Sequence, residues 1–271
     1  TAQLDEFGYM WECPDMITLG GKDVLIVCPQ GLEAEGFRFQ NVYQSGYFVG
    51  KLDERKPEFR HGEFEELDRG FDFYAPQTTQ DESGRRILIA WMGVPDQGEQ
   101  SHPTIPYEWV HCMTLPRELT LENNRLIQKP VQELRTLRQN GNSVQISLKQ
   151  DAEMLDIVSP EKAEILLVPQ YIEEGFEISF RGAARLIYRK AEGVLTLERQ
   201  SYVDERTEAR HCRIAGLKDL NIFLDASSVE IFVNGGEEVF TARYFPSPGN
   251  NHVWISGRKE IIMNVSSWTI A

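Results

Sequence analysis

Residues 11–30 read WECPDMITLGGKDVLIVCPQ, in which two runs rich in apolar residues stand on either side of Gly20-Gly21. Apolar and β-branched runs bounded by glycine are typical of a β-hairpin. Runs of the same kind, separated by turn residues, recur at 47–52, 86–91, 110–115, 143–148, 163–168, 176–180, 184–189, 194–198, 221–226, 229–233, 253–256 and 261–268. The sequence therefore predicts an all-β protein.

The hairpin has a second copy in the N-terminal half. Glu12-Cys13-Pro14 aligns with Tyr74-Ala75-Pro76 at an offset of 62 residues, and 24–26 aligns with 87–89 at an offset of 63. A unit of antiparallel strands that occurs twice is typical of β-propeller blades, although chance alignments also arise between unrelated strands. Propellers close with four or more blades, so either the chain is a fragment or other blades come from elsewhere.

The composition limits the partners that the chain is expected to bind. Its 271 residues are 41% hydrophobic and 26% charged, with a net charge of −14. Such a surface repels phosphate backbones and anionic lipids, so we expect neither nucleic acid nor membrane as a partner, whereas neutral sugars are tolerated. The sequence has neither an apolar run of about 18 residues nor a signal-peptide pattern, and we predict a cytoplasmic protein.

The cysteines give no sign of a metal or redox centre. No CxxC motif links the four of them, Cys13, Cys28, Cys112 and Cys212. We expect free thiols, as in a reducing compartment. His111-Cys112 and His211-Cys212 resemble ligand pairs, but neighbouring side chains on a strand point to opposite faces. We therefore predict neither a metal nor a cofactor.

One helix-like stretch, 130–137, divides the chain. Pro130 suits a first helical turn, Leu134 and Leu137 are three residues apart, and Asn140-Gly141-Asn142 ends the pattern. We predict propeller blades over 1–128, a linker over 129–141 and a β-sandwich over 142–271.

The alternation in 229–234 indicates how the sandwich is built. Val229, Ile231 and Val233 alternate with residues that include Glu230 and Phe232. One face of this strand would lie on the sandwich core, and the other would face solvent or a neighbouring domain.

Glu12 is the carboxylate with the most unusual neighbours. It follows Trp11 and precedes Cys13-Pro14, an arrangement that shields a carboxyl group from solvent. A shielded carboxyl keeps its proton near neutral pH, and a glycosidase needs such a group to protonate a leaving oxygen. The alternative is a residue at the rim of a sheet without a catalytic role.

Five short segments, in this order along the chain, carry a stronger signal. They are WECPD at 11–15, FYAPQT at 73–78, IAWMG at 89–93, WVHCMTLPREL at 109–119, and DASSVEIFVNGG at 225–236 followed by Phe245-Pro246. Together they span nearly the whole chain. The set resembles the sequence pattern of glycoside hydrolase family 32.

This resemblance implies a fold and a reaction. The family joins a five-bladed β-propeller to a β-sandwich, so the chain would hold the last blades and the sandwich. The family hydrolyses terminal β-fructofuranosidic bonds of sucrose, sucrose 6-phosphate or fructo-oligosaccharides with retention of configuration. An aspartate nucleophile forms a fructosyl-enzyme, and the glutamate of the WECPD segment, here Glu12, acts first as acid and then as base.

Two aromatic residues are candidates for substrate binding. Tyr74 occupies the repeat position of Glu12, and the resemblance makes it a neighbour able to hydrogen-bond to Glu12; the alternative is a tyrosine packed between blades. Trp91 would offer an apolar face to a sugar ring, or would be a tryptophan of the blade core. Asp15 would orient Glu12 or cap the turn after Pro14.

The sequence departs from the family at its other two carboxylates. The family's nucleophile lies in an NDPNG-like motif, and an aspartate that stabilises the transition state lies in an RDP motif; neither motif is present. Asp72, Asp81 and Asp96 stand in other contexts. We therefore expect the chain by itself to be inactive, although the resemblance implies that the parent protein is an enzyme. The alternatives are a non-catalytic sugar- or fructan-binding module and a levanase or inulinase fragment.

Overall fold

Five strands form the first antiparallel sheet of the computed structural model, which describes residues 7–53, 55–56, 58–204 and 206–271. They are β1 (Met10–Leu19), β2 (Lys22–Gln30), β3 (Gly46–Asp53), β4 (Glu58–His61) and β5 (Glu65–Glu66). The spatial order is β1-β2-β3-β4, and β5 pairs with β3. Gly20 and Gly21 join β1 to β2 with φ angles of 56° and 77°. Two positive φ angles suit a two-residue hairpin turn, and the predicted hairpin is confirmed.

The second sheet repeats this plan. Its strands are β6 (Tyr74–Gln80), β7 (Arg86–Met92), β8 (Cys112–Met113), β9 (Arg117–Glu122) and β10 (Arg125–Pro130). The order is β10-β9-β7-β6, with β8 beside β7. One buried cluster joins the two sheets and includes Ile17, Val24 and Ile26 from the first and Leu88, Ala90 and Leu119 from the second. Antiparallel sheets stacked in this way are neighbouring blades of a propeller.

The remaining strands build a two-layer sandwich. They are β11 (Arg138–Lys149), β12 (Ala152–Met154), β13 (Ala163–Ile172), β14 (Gly175–Phe180), β15 (Ala184–Arg189), β16 (Val194–Gln200), β17 (Thr207–Arg213), β18 (Leu220–Leu224), β19 (Ser228–Val233), β20 (Glu238–Arg243), β21 (Val253–Gly257) and β22 (Glu260–Ile270). One sheet has the order β11-β22-β13-β18-β19-β20, and the other β12-β21-β14-β15-β16-β17. The core between them is apolar, with Ile165, Phe176 and Ile222 fully buried. The predicted fold class, all-β with blades followed by a sandwich, is confirmed.

A short connection joins the blades to the sandwich. Gln132–Leu137 forms a 3-10 helix, and β11 begins directly after it. The connection is shorter than the predicted linker 129–141, because Lys129 and Pro130 still pair in β10. At the C-terminal end of the predicted linker, β11 continues through 140–141 with a shift in register. The Asn-Gly pair therefore bends the strand and does not end it. Among the described residues, no helix is long and apolar enough to cross a membrane.

A buried arginine holds the second blade against the sandwich. Arg117 of β9 is fully buried and donates hydrogen bonds to Asp68 (3.1 Å), Glu230 (2.7 Å) and Thr241 (2.6 Å). Glu230 and Phe232 are therefore buried although they point away from the sandwich core. The second face of β19 meets a neighbouring domain, which is one of the two predicted alternatives.

The segment between β5 and β6 runs along β20. The Arg69 N–H donates to Val239 O at 2.7 Å, and the Phe71 N–H donates to Thr241 O at 2.8 Å. Gly70 lies between them, and a Cβ atom there would stand 2.0 Å from Thr241 O. Only glycine permits this approach, by which the inter-blade segment adds a short ladder to the edge of the sandwich.

Candidate active site

The same backbone irregularity occurs near the start of β1 and of β6. In β1, residues 13–14 stand opposite a single residue of β2 directly after Glu12. In β6, residues 75–76 stand opposite a single residue of β7 directly after Tyr74. The first bulge residue has a positive φ in both strands, 48° in β1 and 49° in β6. Because a bulge redirects the side chains beside it, Glu12 and Tyr74 are turned in the same way.

Glu12, Tyr74 and Gln30 form a triangle of hydrogen bonds. The Tyr74 hydroxyl donates to Glu12 Oε2 at 3.0 Å, and Gln30 Nε2 donates to the same oxygen at 3.1 Å and to the Tyr74 oxygen at 3.3 Å. Tyr74 is buried and Glu12 is partly exposed. Burial, together with the nearby Glu12 carboxylate, raises the pKa of Tyr74, so its phenol stays a donor at neutral pH. The structure thus brings together the two residues that the repeat aligned.

Gln30 is a site residue that sequence reasoning missed. It is the last residue of β2 and pairs with Met10 at the start of β1. A glutamine does not titrate and belongs to none of the five segments, so it carried no chemical signal. The available signal was the position of Gln30 in the hairpin. If β2 continues past Cys28 and Pro29, its last side chain, Gln30, lies beside the start of β1.

Trp91 lies next to this triangle. It pairs with Tyr74 across β6 and β7, and the two rings meet edge to face with centroids 6.4 Å apart. His111 packs edge-on against the same indole at 4.7 Å. The indole is partly exposed, and its Nε1 has no hydrogen-bond acceptor among the described residues. The structure therefore places Tyr74 directly beside Glu12, and Trp91 beside Tyr74.

Tyr43 and Asp96 form the rim above Tyr74. The Tyr43 hydroxyl donates to Asp96 Oδ2 at 2.8 Å, and its ring lies 6.2 Å from the ring of Tyr74. The hydrogen bond to Asp96 raises the pKa of Tyr43. Asp96 is thus engaged by a phenol that remains protonated at neutral pH, and neither rim residue was a predicted site residue.

Asp15 has a different partner from those considered in the sequence. Its Oδ2 accepts hydrogen bonds from the Thr78 N–H at 3.0 Å and from the Thr78 hydroxyl at 2.6 Å. The carboxylate therefore ties β1 to β6, the first strands of the two sheets. By joining the two strands it helps to keep Glu12 and Tyr74 next to each other. Neither of these two residues takes part in the hydrogen bonds of Asp15 to Thr78.

Two thiols near Glu12 are poor nucleophiles. Cys13 follows Glu12 directly, and Cys28 pairs with Glu12 across β1 and β2. Burial raises the pKa of both thiols, that of Cys28 to about 12. The thiolate is the reactive form, so little of it is present at neutral pH. All four cysteines are free, and the cytoplasmic location stays a prediction.

The two His-Cys pairs diverge as neighbouring residues on a strand do. His111 packs against Trp91, whereas the Cys112 thiol turns to a methionine of β7 at 3.5 Å. His211 hydrogen-bonds to a threonine of β16 at 2.9 Å, whereas Cys212 lies in the sandwich core. Within the described ranges, no three His, Cys, Asp or Glu side chains are grouped to hold a metal ion.

Two family descriptions match the chain that carries this site. Residues 1–130 match the glycosyl hydrolases family 32 N-terminal domain, and residues 132–269 match the glycosyl hydrolases family 32 C-terminal domain. Together these matches cover nearly the whole chain. The chain therefore belongs to glycosyl hydrolase family 32, a family of glycosidases.

Similar proteins within the family are sucrose-6-phosphate hydrolases. That of Bacillus subtilis (strain 168) is 60% identical over 267 residues, which is 98% of this chain and 56% of the relative. That of Staphylococcus xylosus is 43% identical over 253 residues, which is 89% of this chain and 50% of the relative. The chain spans about half the length of these relatives.

Solved structures show the same architecture. The sucrose-6-phosphate hydrolase from Lactobacillus gasseri superposes with a TM-score of 0.85 at 26% identity, over 99% of this chain and 56% of that one. The GH32 β-fructofuranosidase from Bombyx mori gives 0.81 at 31% identity, over 98% and 55%. A mutant of the Bombyx enzyme has been solved in complex with sucrose.

Proposed function

We propose that this chain is the C-terminal part of a sucrose-6-phosphate hydrolase and that Glu12 is the acid/base of its reaction. The observation that carries the proposal is the placement of Glu12. Its carboxyl group is partly exposed at the start of β1 and is held by donors from β2 and β6. The identity of 60% to a sucrose-6-phosphate hydrolase supports the substrate class.

The hydrogen bonds at Glu12 indicate which oxygen would carry the catalytic proton. Tyr74 and Gln30 both donate to Oε2. An oxygen that accepts two hydrogen bonds is the poorer place for a proton, so Oε1 would hold it. In the first step Oε1 would transfer this proton to the glycosidic oxygen as the bond to the fructose carbon breaks and a carboxylate nucleophile attacks that carbon.

The second step would return the proton. Glu12, now ionised, would take a proton from water while that water attacks the fructosyl-enzyme ester, which releases fructose and restores both carboxyl groups. Asp15 is engaged by Thr78 and Asp96 by Tyr43, and we assign neither as the nucleophile. The nucleophile would lie in the part of the full-length protein outside this chain, and we expect the chain alone to hydrolyse neither sucrose nor its 6-phosphate.

Tyr74 and Trp91 would bind the sugar beside Glu12. Trp91 presents part of its indole, and an aromatic face packs well against the C–H groups of a sugar ring.

Comparison of kcat/KM of the full-length protein for sucrose 6-phosphate, sucrose and a fructo-oligosaccharide tests the substrate class. A preference for unphosphorylated sucrose or for the fructo-oligosaccharide would contradict the phosphate-specific part of the proposal.

Replacement of Glu12 by glutamine in the full-length protein tests the acid/base role. General acid catalysis contributes roughly 10²–10⁴-fold in rate, so hydrolysis of the natural substrate should slow by about that factor. An activated fructoside needs little protonation, and its first step should be much less affected. Its second step should stay slow until azide, which needs no base, attacks the fructosyl-enzyme.

The matched control is Glu153→Gln, since Glu153 is an exposed carboxylate on β12 of the sandwich. This variant should hydrolyse the natural and the activated substrate at the rates of the parent protein. If Glu12→Gln folds and slows natural and activated substrates equally, without rescue by azide, Glu12 is not the acid/base.

A further inference from the structure

The loop between β2 and β3, residues 31–45, is held by the sandwich as well as by the blades. Gln40 lies in its middle and reaches β17, the last strand in the order of one sandwich sheet. The amide of Gln40 donates to His211 O at 2.9 Å and accepts from the His211 N–H at 2.9 Å. This two-way bond imitates a rung of a β-ladder, and it satisfies backbone groups that an edge strand otherwise leaves open.

Two further contacts strengthen the attachment of the loop to β17. The Arg210 guanidinium donates to Asn41 Oδ1 at 2.8 Å. The ring of Phe37 stacks on the ring of His211, with centroids 5.0 Å apart and an angle of 29° between the planes. Three loop side chains, Phe37, Gln40 and Asn41, thus engage two consecutive residues of the sandwich edge.

The same loop carries Tyr43 to the rim of the candidate active site. Only Val42 lies between Asn41 and Tyr43, and the Gln44 N–H fixes the end of this turn by donating to Pro29 O at 3.2 Å. The Tyr43 ring then lies 6.2 Å from the ring of Tyr74, whose hydroxyl donates to Glu12. A continuous series of contacts therefore leads from the sandwich edge to the carboxyl group of Glu12.

We propose that the sandwich positions the rim of the active site through Gln40, which acts on Tyr43 and through it on the Tyr74–Glu12 hydrogen bond. Gln40 is a positioning residue, since its amide contacts the sandwich backbone and the loop itself. Its significance for catalysis rests on the proposed role of Glu12. The sandwich would then be a part of the catalytic apparatus as well as a neighbour of the blades.

Gln40→Met in the full-length protein tests this assignment, because methionine keeps the length of the side chain and removes both bonds to His211. The variant also loses the hydrogen bond from the Gln40 amide to Phe37 O at 2.9 Å. Loss of these three hydrogen bonds should favour opening of the loop by at least roughly 10-fold, measured as faster amide hydrogen exchange at residues 40–45. Hydrolysis of the natural substrate should slow at least fivefold, and hydrolysis of an activated fructoside should slow much less. A larger loss of rate with the natural substrate than with the activated fructoside indicates weaker protonation by Glu12. Partial unfolding would slow both substrates equally.

Gln145→Met is the matched control, since Gln145 is exposed on β11 and makes one hydrogen bond to Asn264 at 3.1 Å. It should change neither loop exchange nor either rate. Gln40→Glu is the second variant: it keeps the acceptor for the His211 N–H, loses the donor, and should give intermediate exchange and rates.

Unchanged exchange at 40–45 in both Gln40 variants overturns the proposal, and so does faster exchange with equal slowing of both substrates. The acid/base role is judged separately from Glu12→Gln. If Glu12→Gln fails its own test while Gln40→Met speeds exchange, the attachment of the loop stands and only its catalytic meaning is lost.

Discussion

His102 shows how one neighbour decides the state of a side chain. It is buried in the loop between β7 and β8, and its Nδ1 lies 3.0 Å from Nη1 of Arg243. A guanidinium only donates, so Nδ1 accepts, and the ring is neutral. Burial, followed by the charge of Arg243, lowers the pKa of His102 from 6.5 to about 4. Between pH 6.5 and about 4, His102 therefore stays neutral in the folded protein but binds a proton in the unfolded chain.

The lowered pKa of His102 makes the folded state less stable in mild acid. As the pH falls from 6.5 to about 4, proton uptake by the unfolded chain lowers the free energy of unfolding. His102→Asn keeps an acceptor for Arg243 and removes the titration, so its free energy of unfolding should fall less over this range. Urea unfolding at pH 7, 6, 5 and 4.5 measures the difference. Parallel pH profiles for the variant and the parent would contradict the assignment.

Some residues of the site can be predicted from the sequence and others cannot. Glu12 and Tyr74 are both visible in the sequence, because the repeat aligns them and each stands two residues before a proline. Gln30, Tyr43 and Asp96 are not, because they reach the site through a strand end and two loops whose paths depend on contacts distant in sequence. Asp15 was recognised as a neighbour of Glu12, but its partner Thr78 lies 63 residues away in the other blade.

At the scale of elements, the paired bulges are the feature that shapes the site. Each places a non-glycine residue in the left-handed region, which costs about 1–2 kcal/mol for a residue with a side chain. The strain occurs twice, next to Glu12 and next to Tyr74. Strained backbone of this kind persists where the surrounding sheet determines it and commonly marks a functional site.

Ala75→Gly should relieve the strain in β6. Glycine accepts the positive φ of 49° at this position, and after the entropy of the unfolded chain is counted we expect the free energy of unfolding to rise by about 0.5–1 kcal/mol. Ala90→Gly is the control, because Ala90 lies in extended β7 opposite the bulge and is fully buried. It should destabilise the protein by about 1 kcal/mol. Denaturant unfolding that shows both variants less stable would argue against strain at residue 75.

The strands themselves were predictable only in part. The runs at 163–168 and 184–189 were recognised because they are rich in apolar residues and contain neither glycine nor proline. β1 and β6 were predicted only through the hairpin turn and the repeat, since the bulge and its proline break the alternation of each strand. β20 was missed because Glu238 and Arg243 make it look like a surface segment, whereas both are buried against the blades. The predicted run at 110–115 shrinks to two paired residues, because the loop before β8 turns into the site region.

At the scale of the whole molecule, buried ion pairs join the blades to the sandwich beside an apolar cluster that includes Phe232 and Leu115. The side chains of Arg117, Asp68 and Glu230 are at most 4% exposed. The two buried carboxylates share one buried cation, so removal of the Arg117 guanidinium leaves both of them without compensation.

Arg117→Met should therefore lower the free energy of unfolding by about 3–5 kcal/mol at pH 7. Arg185→Met is the control, since Arg185 lies on the outer surface of the sandwich with a side chain 47% exposed and a 2.6 Å contact to Glu198. Exposed pairs of this kind contribute about 0–1 kcal/mol. Urea unfolding measures both, and equal losses in the two variants would show that the buried set does not hold the interface.

The same three residues have a consequence for inheritance. Asp68 comes from the blades and Glu230 from the sandwich, and both depend on the one guanidinium of Arg117. Loss of Arg117 leaves one buried carboxylate in each half without a cation, and loss of Asp68 or Glu230 removes one of its two anionic partners. Single changes are therefore selected against, and compensated changes arise together. Blades and sandwich are thus expected to descend as a matched pair. A recombinant that joins the blades of one lineage to the sandwich of another should fold well only where these three positions already agree.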